Sequence, residues 1–204
     1  MTFSVKNRGL TSLIGIVPEG TIELDCAHNR LTSLEGCPSS VLKLNCAMNR
    51  LTSLKHCPKF VEVLDCYANR LFSLEGCPPF VKLLDCSHNR LISLQGCSSS
   101  VINLNCYNNQ LTSLEWCPPT VVKLSCLVNP LLNQYRGKSI EEVHEINRVK
   151  RFMKGLDIIR KLILNKKVSY LQACWETYWY KPNEDEVARY AEYSYRLCFP
   201  DEAV

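Results

Sequence analysis

Residues 41–58 read VLKLNCAMNRLTSLKHCP, and residues 61–78 read VEVLDCYANRLFSLEGCP. The two stretches share one frame, V-x-x-L-x-C-x-x-N-x-L-x-x-L-x-x-C-P. Copies of it start at Thr21, Val41, Val61, Val81, Val101 and Val121, one every 20 residues. A fixed period of this size is the signature of a solenoid, a stack of units none of which can bury a core alone. Such a stack makes a long surface and seldom a catalytic cavity. The chain therefore reads as a binding scaffold.

Within each unit, Leu and Cys at the fourth and sixth positions flank one outward residue. That alternation is the mark of a strand with one buried face, and it predicts strands such as 41–47. A chain that returns after so few residues has no space for a long crossover helix. Consecutive strands must run the same way, in a parallel sheet. Cys-Pro at Cys37-Pro38, Cys57-Pro58, Cys77-Pro78 and Cys117-Pro118 opposes helix in the return limb, which is expected to be extended or polyproline-like. Asn29, Asn49, Asn69, Asn89, Asn109 and Asn129 fill one column. They could serve as a ligand-binding ladder. They sit where the chain leaves its strand and backbone groups go unpaired, which favours a turn-holding role.

The frame resembles the leucine-rich repeat, L-x-x-L-x-L-x-x-N-x-L, with Cys at the third leucine site. Its length resembles the shortest subclass, found in secreted bacterial effectors. The wording at 31–38, Leu-Thr-Ser-Leu-Glu-Gly-Cys-Pro, is also similar to repeats of giant viruses and their amoebal hosts. The resemblance covers roughly residues 3–132 and leaves the tail aside. It implies a curved solenoid with a concave parallel sheet. With the C-terminal helical segment read from its own periodicity the chain is α+β, and six ordered repeats with a patterned face and no catalytic cluster point to a protein partner. Effectors of this kind often carry a ubiquitin-ligase domain with a nucleophilic Cys. Here the tail is far shorter, Cys198 has Pro200 in the place of the acidic partner that motif puts two residues on, and Cys174, in Cys-Trp-Glu, reads as a core residue.

The expected organisation is an N-terminal capping half-repeat at 1–20, six repeats at 21–132 and a helical cap at 133–204. In the first cap, Phe3, Val5, Leu10, Leu13 and Ile16 occupy the inward columns, Arg8 stands in the Asn column and Val17 is an extra residue. Residues 2–6 form an edge strand that Lys6 and Arg8 protect from pairing with another chain. At the other end Gln134 and Gly137 stand where Leu and Cys belonged. The period then becomes helical. Ser139 and Glu142 make a capping box, and Ile140, Val143, Ile146, Val149, Met153, Leu156, Ile159 and Ile163 trace one apolar stripe to about Asn165. Two further helices are expected over 168–180 and from Asn183 to before Pro200. Together they read as a cap on the last repeat.

The chain has 13 cysteines and a net charge of +4. Eleven of the cysteines belong to two repeat columns, spaced alternately by 11 and 9 residues. Without a C-x-x-C they do not suggest zinc. The start lacks a basic region followed by an apolar one, and no run is long enough to cross a membrane. The reading is a cytoplasmic, reducing compartment, a host cell's if the chain is viral, with the thiols as small apolar core residues. No cofactor or metal is expected. His144-Glu145 on a helix is not a metalloprotease motif, because Arg148 holds the place of the second His.

The outward positions carry the information. Position five reads Asp25, Asn45, Asp65, Asp85, Asn105 and Ser125. Position seven reads Ala27, Ala47, Tyr67, Ser87, Tyr107 and Leu127, and position eight His28, Met48, Ala68, His88, Asn108 and Val128. Tyr67 and Tyr107 beside Asp65 and Asp85 make a candidate hot spot, since exposed aromatics anchor interfaces. The candidate binding face is Asp25, Asn45, Asp65, Tyr67, Asp85, His88, Asn105 and Tyr107; a merely solvated polar face is the bland alternative. Arg30, Arg50, Arg70 and Arg90 form a further column that could grip an acidic partner; more often such a column is solvated, or pairs loosely with Glu35, Glu75 and the Asp stripe. The rival functional site is the basic face of the tail helix, Arg148, Arg151, Lys154 and Lys161, which could bind nucleic acid or an anionic surface. The partner's identity and the oligomeric state are not written in the sequence.

Overall fold

The computed structural model describes residues 1–164, with side chains through residue 158. Strands β1 (Thr2–Ser4), β2 (Glu23–Asp25), β3 (Lys43–Asn45), β4 (Val63–Asp65), β5 (Leu83–Asp85), β6 (Asn103–Asn105) and β7 (Lys123–Ser125) form one parallel sheet in chain order. The register equals the repeat: Leu44 pairs with Leu64, Leu64 with Leu84 and Leu84 with Leu104. Every inward column is thus continuous from one repeat to the next. Val61, Leu64, Cys66, Leu71 and Leu74 are essentially inaccessible, as are their counterparts in neighbouring repeats. Each buried Leu contributes ~1.5–3 kcal/mol of transfer free energy.

The strands are shorter than the alternation predicts: three residues, 43–45, where it suggests 41–47. The reason is local. The Asn45 side-chain Oδ1 accepts the Ala47 N–H at 3.1 Å, and the next residue, Met48, has φ 53°. The side chain takes over the backbone's acceptor role and the chain turns. Inter-repeat bonds still continue past the regular strand, with Cys46 N donating to Asp65 O and Met48 N to Tyr67 O, both at 2.8 Å.

The return limb is helix-free but more tightly turned than an extended limb. Cys57 N donates to Leu54 O and Val61 N to Pro58 O, two turns in one repeat. The first is held by Ser53, whose Oγ accepts the Lys55 N–H at 3.0 Å; Ser33, Ser73, Ser93 and Ser113 do the same.

The Asn column holds the turns. Asn69 donates to Cys46 O, Cys66 O and Tyr67 O, and its Oδ1 accepts the Leu51 N–H at 3.0 Å. Each such Asn binds its own turn and the preceding repeat. The thiols of the first Cys column point the other way: Cys46 Sγ donates to Asp65 O at 3.3 Å and Cys66 Sγ to Asp85 O at 3.2 Å. The eleven repeat cysteines are unpaired thiols; Cys174 and Cys198 lie outside the described residues.

At the N-terminus Val5 and Leu13 are buried, with Phe3 and Leu10 packed against the core. The edge strand stops at Ser4. Ile16 is exposed and Val17 packs against the core instead, so the extra residue shifts the inward place by one. Arg8 does not act as an Asn; its backbone N–H is received by Asn29.

The structure falls into two compact units, Met1–Asn147 and the part from Arg148 onward. Helix α1 (Ile140–Leu164) begins in the first. The capping box forms: Ser139 N donates to Glu142 Oε2 at 2.8 Å, and Glu142 N to Ser139 Oγ at 3.3 Å. Within the first unit the end of the stack is closed by polar contacts that the apolar stripe does not announce. Tyr135 is fully buried and its hydroxyl donates to Asn147 Oδ1 at 2.9 Å. Asn147 Nδ2 donates to Leu114 O at 2.7 Å, and His144 Nε2 meets Val121 O at 2.8 Å. Ile140, Val143 and Ile146 pack into the core. Val149 and Met153, expected in the same stripe, are exposed by 46% and 47%. Gln134 and Gly137 are exposed, and Tyr135 fills the inward place. Ile159 and Ile163 lie on α1 beyond the described side chains; the helices expected over 168–180 and from Asn183 lie outside the described residues.

Candidate functional site

The sheet offers one outward face, built from the third and fifth positions of each strand and continued by positions seven and eight. All eight sequence-predicted residues, Asp25, Asn45, Asp65, Tyr67, Asp85, His88, Asn105 and Tyr107, lie half-buried along it. Three of them meet. The Tyr67 ring stands edge-on to the His88 ring with centroids 5.0 Å apart, and His88 lies 5.3 Å from Tyr107. His88 therefore sits between the two tyrosines, and Asn108 Nδ2 lies 2.9 Å from His88 Nδ1. Pairs in this geometry contribute ~0.5–1.5 kcal/mol beyond their burial, so the rings hold one another in place.

His88 belongs to a column of residues with left-handed backbone. His28, Met48, Ala68, His88, Asn108 and Val128 have φ between 50° and 57°. Only Asn is well suited to it, and other side chains cost ~1–2 kcal/mol there. This turn lifts position eight out of the strand and presents the His88 ring between two position-seven tyrosines.

The position-five stripe has a second job. Asp25, Asp65 and Asp85 each accept the N–H of the residue two further on, at 2.9–3.0 Å, as Asn45 and Asn105 do at 3.1–3.2 Å. Asp85 has its other acceptors filled too. The Ser87 hydroxyl donates to Oδ1 and Asn105 Nδ2 donates to Oδ2, the latter at 2.8 Å. Among the described residues Asp65 receives only the Tyr67 N–H. Burial, with the like charges of Asp85 and Asp25, pushes its carboxyl above the usual carboxylate range, against the lowering effect of that one bond.

Sequence reasoning passed over position three. Val63 and Leu83 stand on the same face as Asp65 and Asp85, two residues before them, and line one open trough with Asn103, Asn105, Lys123 and Ser125. Leu83 is 41% exposed. The signal was available, because period two puts positions three and five on one face. A second unread feature lies at the other ends of the strands. Phe60 and Phe80 stack at 5.9 Å, beside Leu42 and the Lys82–Glu62 ion pair.

Arg30, Arg50, Arg70 and Arg90 are exposed, a solvated column, and among the described residues they form no ion pair with Glu35, Glu75 or the Asp stripe. Ion pairs among the described residues include Lys43–Glu23, Lys82–Glu62 and Lys138–Glu142. In the rival site, Arg151 and Lys154 are exposed on α1 and Arg148 is half-buried. The side chain of Lys161 lies outside the described residues. Among the described residues no helix is long and apolar enough to cross a membrane.

The geometry has near relatives among solved structures. YopM from Yersinia enterocolitica WA-314 superposes with a TM-score of 0.53 at 32% identity, over 59% of this chain and 27% of that one. YopM from Yersinia pestis, described as a leucine-rich effector protein, superposes with a TM-score of 0.51 at 27% identity, over 63% of this chain and 38% of that one. This chain is a leucine-rich-repeat solenoid. It resembles bacterial effectors of that fold and spans between a quarter and two-fifths of the length of these two. No family model and no curated protein sequence matches it. A leucine-rich-repeat solenoid is, in general, an interaction scaffold: its rigid sheet holds outward residues of successive repeats in fixed columns, and a partner can read several at once.

Proposed function

We propose that the chain is a non-enzymatic scaffold that binds a protein partner on the concave face of its sheet. The observation that carries this reading is the Tyr67–His88–Tyr107 ring cluster. Rigid aromatic side chains with polar tips are the groups on which interface energy concentrates, because they cover much area for little lost rotamer freedom. Asp25, Asn45, Asp65, Asp85 and Asn105 frame the cluster as a polar stripe. The buried, unpaired thiols support a reducing, cytoplasmic setting, and the similarity to YopM supports an effector-like role.

The test is quantitative capture of partners from cells of the source by the whole chain and by a Tyr67→Ala, Tyr107→Ala double variant. Loss of the captured partner with an unchanged melting temperature is the expected result. Unchanged capture overturns the reading. The rival is binding of nucleic acid or an anionic surface through Arg148, Arg151, Lys154 and Lys161. It predicts instead retention on a polyanion that disappears steeply with salt.

A further inference from the structure

We infer that the partner presents a basic segment to the concave face, with an arginine or lysine side chain seated at Asp65, its aliphatic stem on Val63 and Leu83 and its cation beside the Tyr67 ring. This rests on the concave-face reading above and specifies its chemistry. Three observations lead to it.

The first is uncompensated charge. Asp65 and Asp85 are register partners on adjacent strands, which lie ~4.8 Å apart. Neither takes part in an ion pair among the described residues. Lys43 is engaged with Glu23 at 2.6 Å and Lys82 with Glu62 at 2.8 Å, and Lys123, which lines the same trough on β7, forms no ion pair with either carboxylate. A like-charged pair without an ion-pair partner among the described residues favours a cationic ligand and rejects an anionic one.

The second is an open acceptor. Asp85 is filled by the Ser87 N–H, the Ser87 hydroxyl and Asn105 Nδ2. Asp65 accepts from Tyr67 N at Oδ1 and has no donor at Oδ2 among the described residues. The two carboxylates are alike in sequence, and the structure makes them different: one is a finished structural element and the other has bonding capacity to spare.

The third is the surface around that acceptor. Val63 and Leu83 lie two residues before the carboxylates and form an aliphatic bed in the trough. Tyr67 follows Asp65 by two residues, its ring fixed by His88. Arginine and lysine have an apolar stem and a cationic head, and their head is attracted to an aromatic face. Burial and the Asp85 charge disfavour the Asp65 carboxylate, and an arriving cation offsets that cost by its opposite charge.

The experiment uses the whole chain and two synthetic ten-residue peptides, one alternating arginine and serine, the other with neutral citrulline at each arginine. Binding is followed by calorimetry at moderate salt. The arginine peptide is expected to bind, and the citrulline peptide to bind at least about tenfold more weakly. Asp65→Asn should weaken the arginine peptide about tenfold, and Asp85→Asn far less. Asn at 65 keeps the acceptor for Tyr67 N, as Asn45 and Asn105 do in their own repeats, so the fold is retained. Equal binding of the two peptides overturns the inference. So does an equal loss in Asp25→Asn, Asp65→Asn and Asp85→Asn, which would mean diffuse charge attraction. If the captured partner is lost in the Tyr67→Ala, Tyr107→Ala variant but kept by Asp65→Asn, the concave-face reading stands and the basic-segment inference fails.

Discussion

Gly96 lies so close to the preceding repeat that a Cβ on it would stand 2.9 Å from the Leu74 carbonyl carbon, and its φ is +86°. Gly36 and Gly76 are placed alike, with would-be Cβ contacts of 2.5 and 3.0 Å. At Gly36, Gly76 and Gly96 glycine thus answers both the backbone conformation and the space, whereas His56 and Trp116 fill the same column in their own repeats. Gly96→Ala is expected to cost ~2–4 kcal/mol, since left-handed strain and displaced backbone add. His56 stands in the same column with φ 68°. His56→Gly should therefore move the other way, by ~0.5–1 kcal/mol. Urea unfolding of both variants beside the parent checks the pair; two changes of the same sign would contradict the assignment.

Asn69→Ala should destabilise the stack and leave the concave face in place. The substitution removes donors to Cys46 O, Cys66 O and Tyr67 O and orphans the buried Leu51 N–H. Each orphaned buried group costs ~1–3 kcal/mol. Denaturant unfolding gives the loss. Unchanged stability together with lost partner binding would show that the column contacts the partner instead.

The repeat thiols should be inert in the folded protein. Burial pushes Cys77 up to about 11 and Cys37 and Cys117 up to about 12, and it pushes Cys46, Cys66 and Cys86 well above the ordinary thiol value. The thiolate is the reactive form, so a disulfide reagent at pH 8 should label the native repeats far more slowly than the unfolded chain, beginning at half-buried Cys126. The folded state holds these protons where the unfolded state, near the ordinary value of 9.0, releases them. Stability should accordingly fall as pH rises past that value. Thiol counting on fresh, denatured, unreduced protein should return all 13. Missing thiols, or a stability that rises with alkali, would refute the apolar ladder.

The repeats were legible because one spacing dictates everything in them. A 20-residue period forces the Leu44–Leu64–Leu84 register, the inward columns and the place of the Asn ladder at once. The capping box at Ser139 and Glu142 was legible for a similar reason, since its partners are near in sequence. What stayed hidden depends on partners far apart or on which of two like residues is satisfied. Tyr135 and Asn147 close the stack through Leu114, which is 33 residues from Asn147, with no period to mark it. Asp65 and Asp85 read identically, and only the positions of Ser87 and Asn105 distinguish them. Helical spacing runs on through Val149 and Met153 although neither is buried, because periodicity marks a face and not what covers it.

The end closure gives a prediction of its own. Asn147 is almost fully buried and joins Leu114 O to the Tyr135 hydroxyl. Asn147→Leu keeps the volume and takes the Asn147 hydrogen bond from both groups, which should cost ~2–4 kcal/mol. Tyr135→Phe removes one partner only and should cost ~1–2 kcal/mol, with little further loss when added to Asn147→Leu, because the two share one network. A double-variant cycle measures this; fully additive losses would mean that the residues act separately.

Asp65→Asn should raise stability at neutral pH. The Asp65 carboxyl lies above the usual carboxylate range, chiefly through burial and then through Asp85 and Asp25. The folded state therefore binds this proton more readily than the unfolded state does. Between the ordinary value of 3.8 and the raised one, stability falls as pH rises, and the penalty is fully present above both. Asn carries no charge and retains the oxygen that accepts the Tyr67 N–H, as Asn45 and Asn105 do. Asp65 is half-exposed, so solvent screens much of the effect. A gain of ~0.3–1 kcal/mol, or about 1–3 °C in Tm, is expected at pH 7. The gain should vanish below about pH 3.5, where carboxyls are protonated in both states. Thermal melts of the parent and the variant across pH 3–8 would show the difference opening with rising pH. A variant less stable than the parent at pH 7 would mean that the Asp65 charge is satisfied inside the protein, and the case for a cationic partner at that residue would go with it.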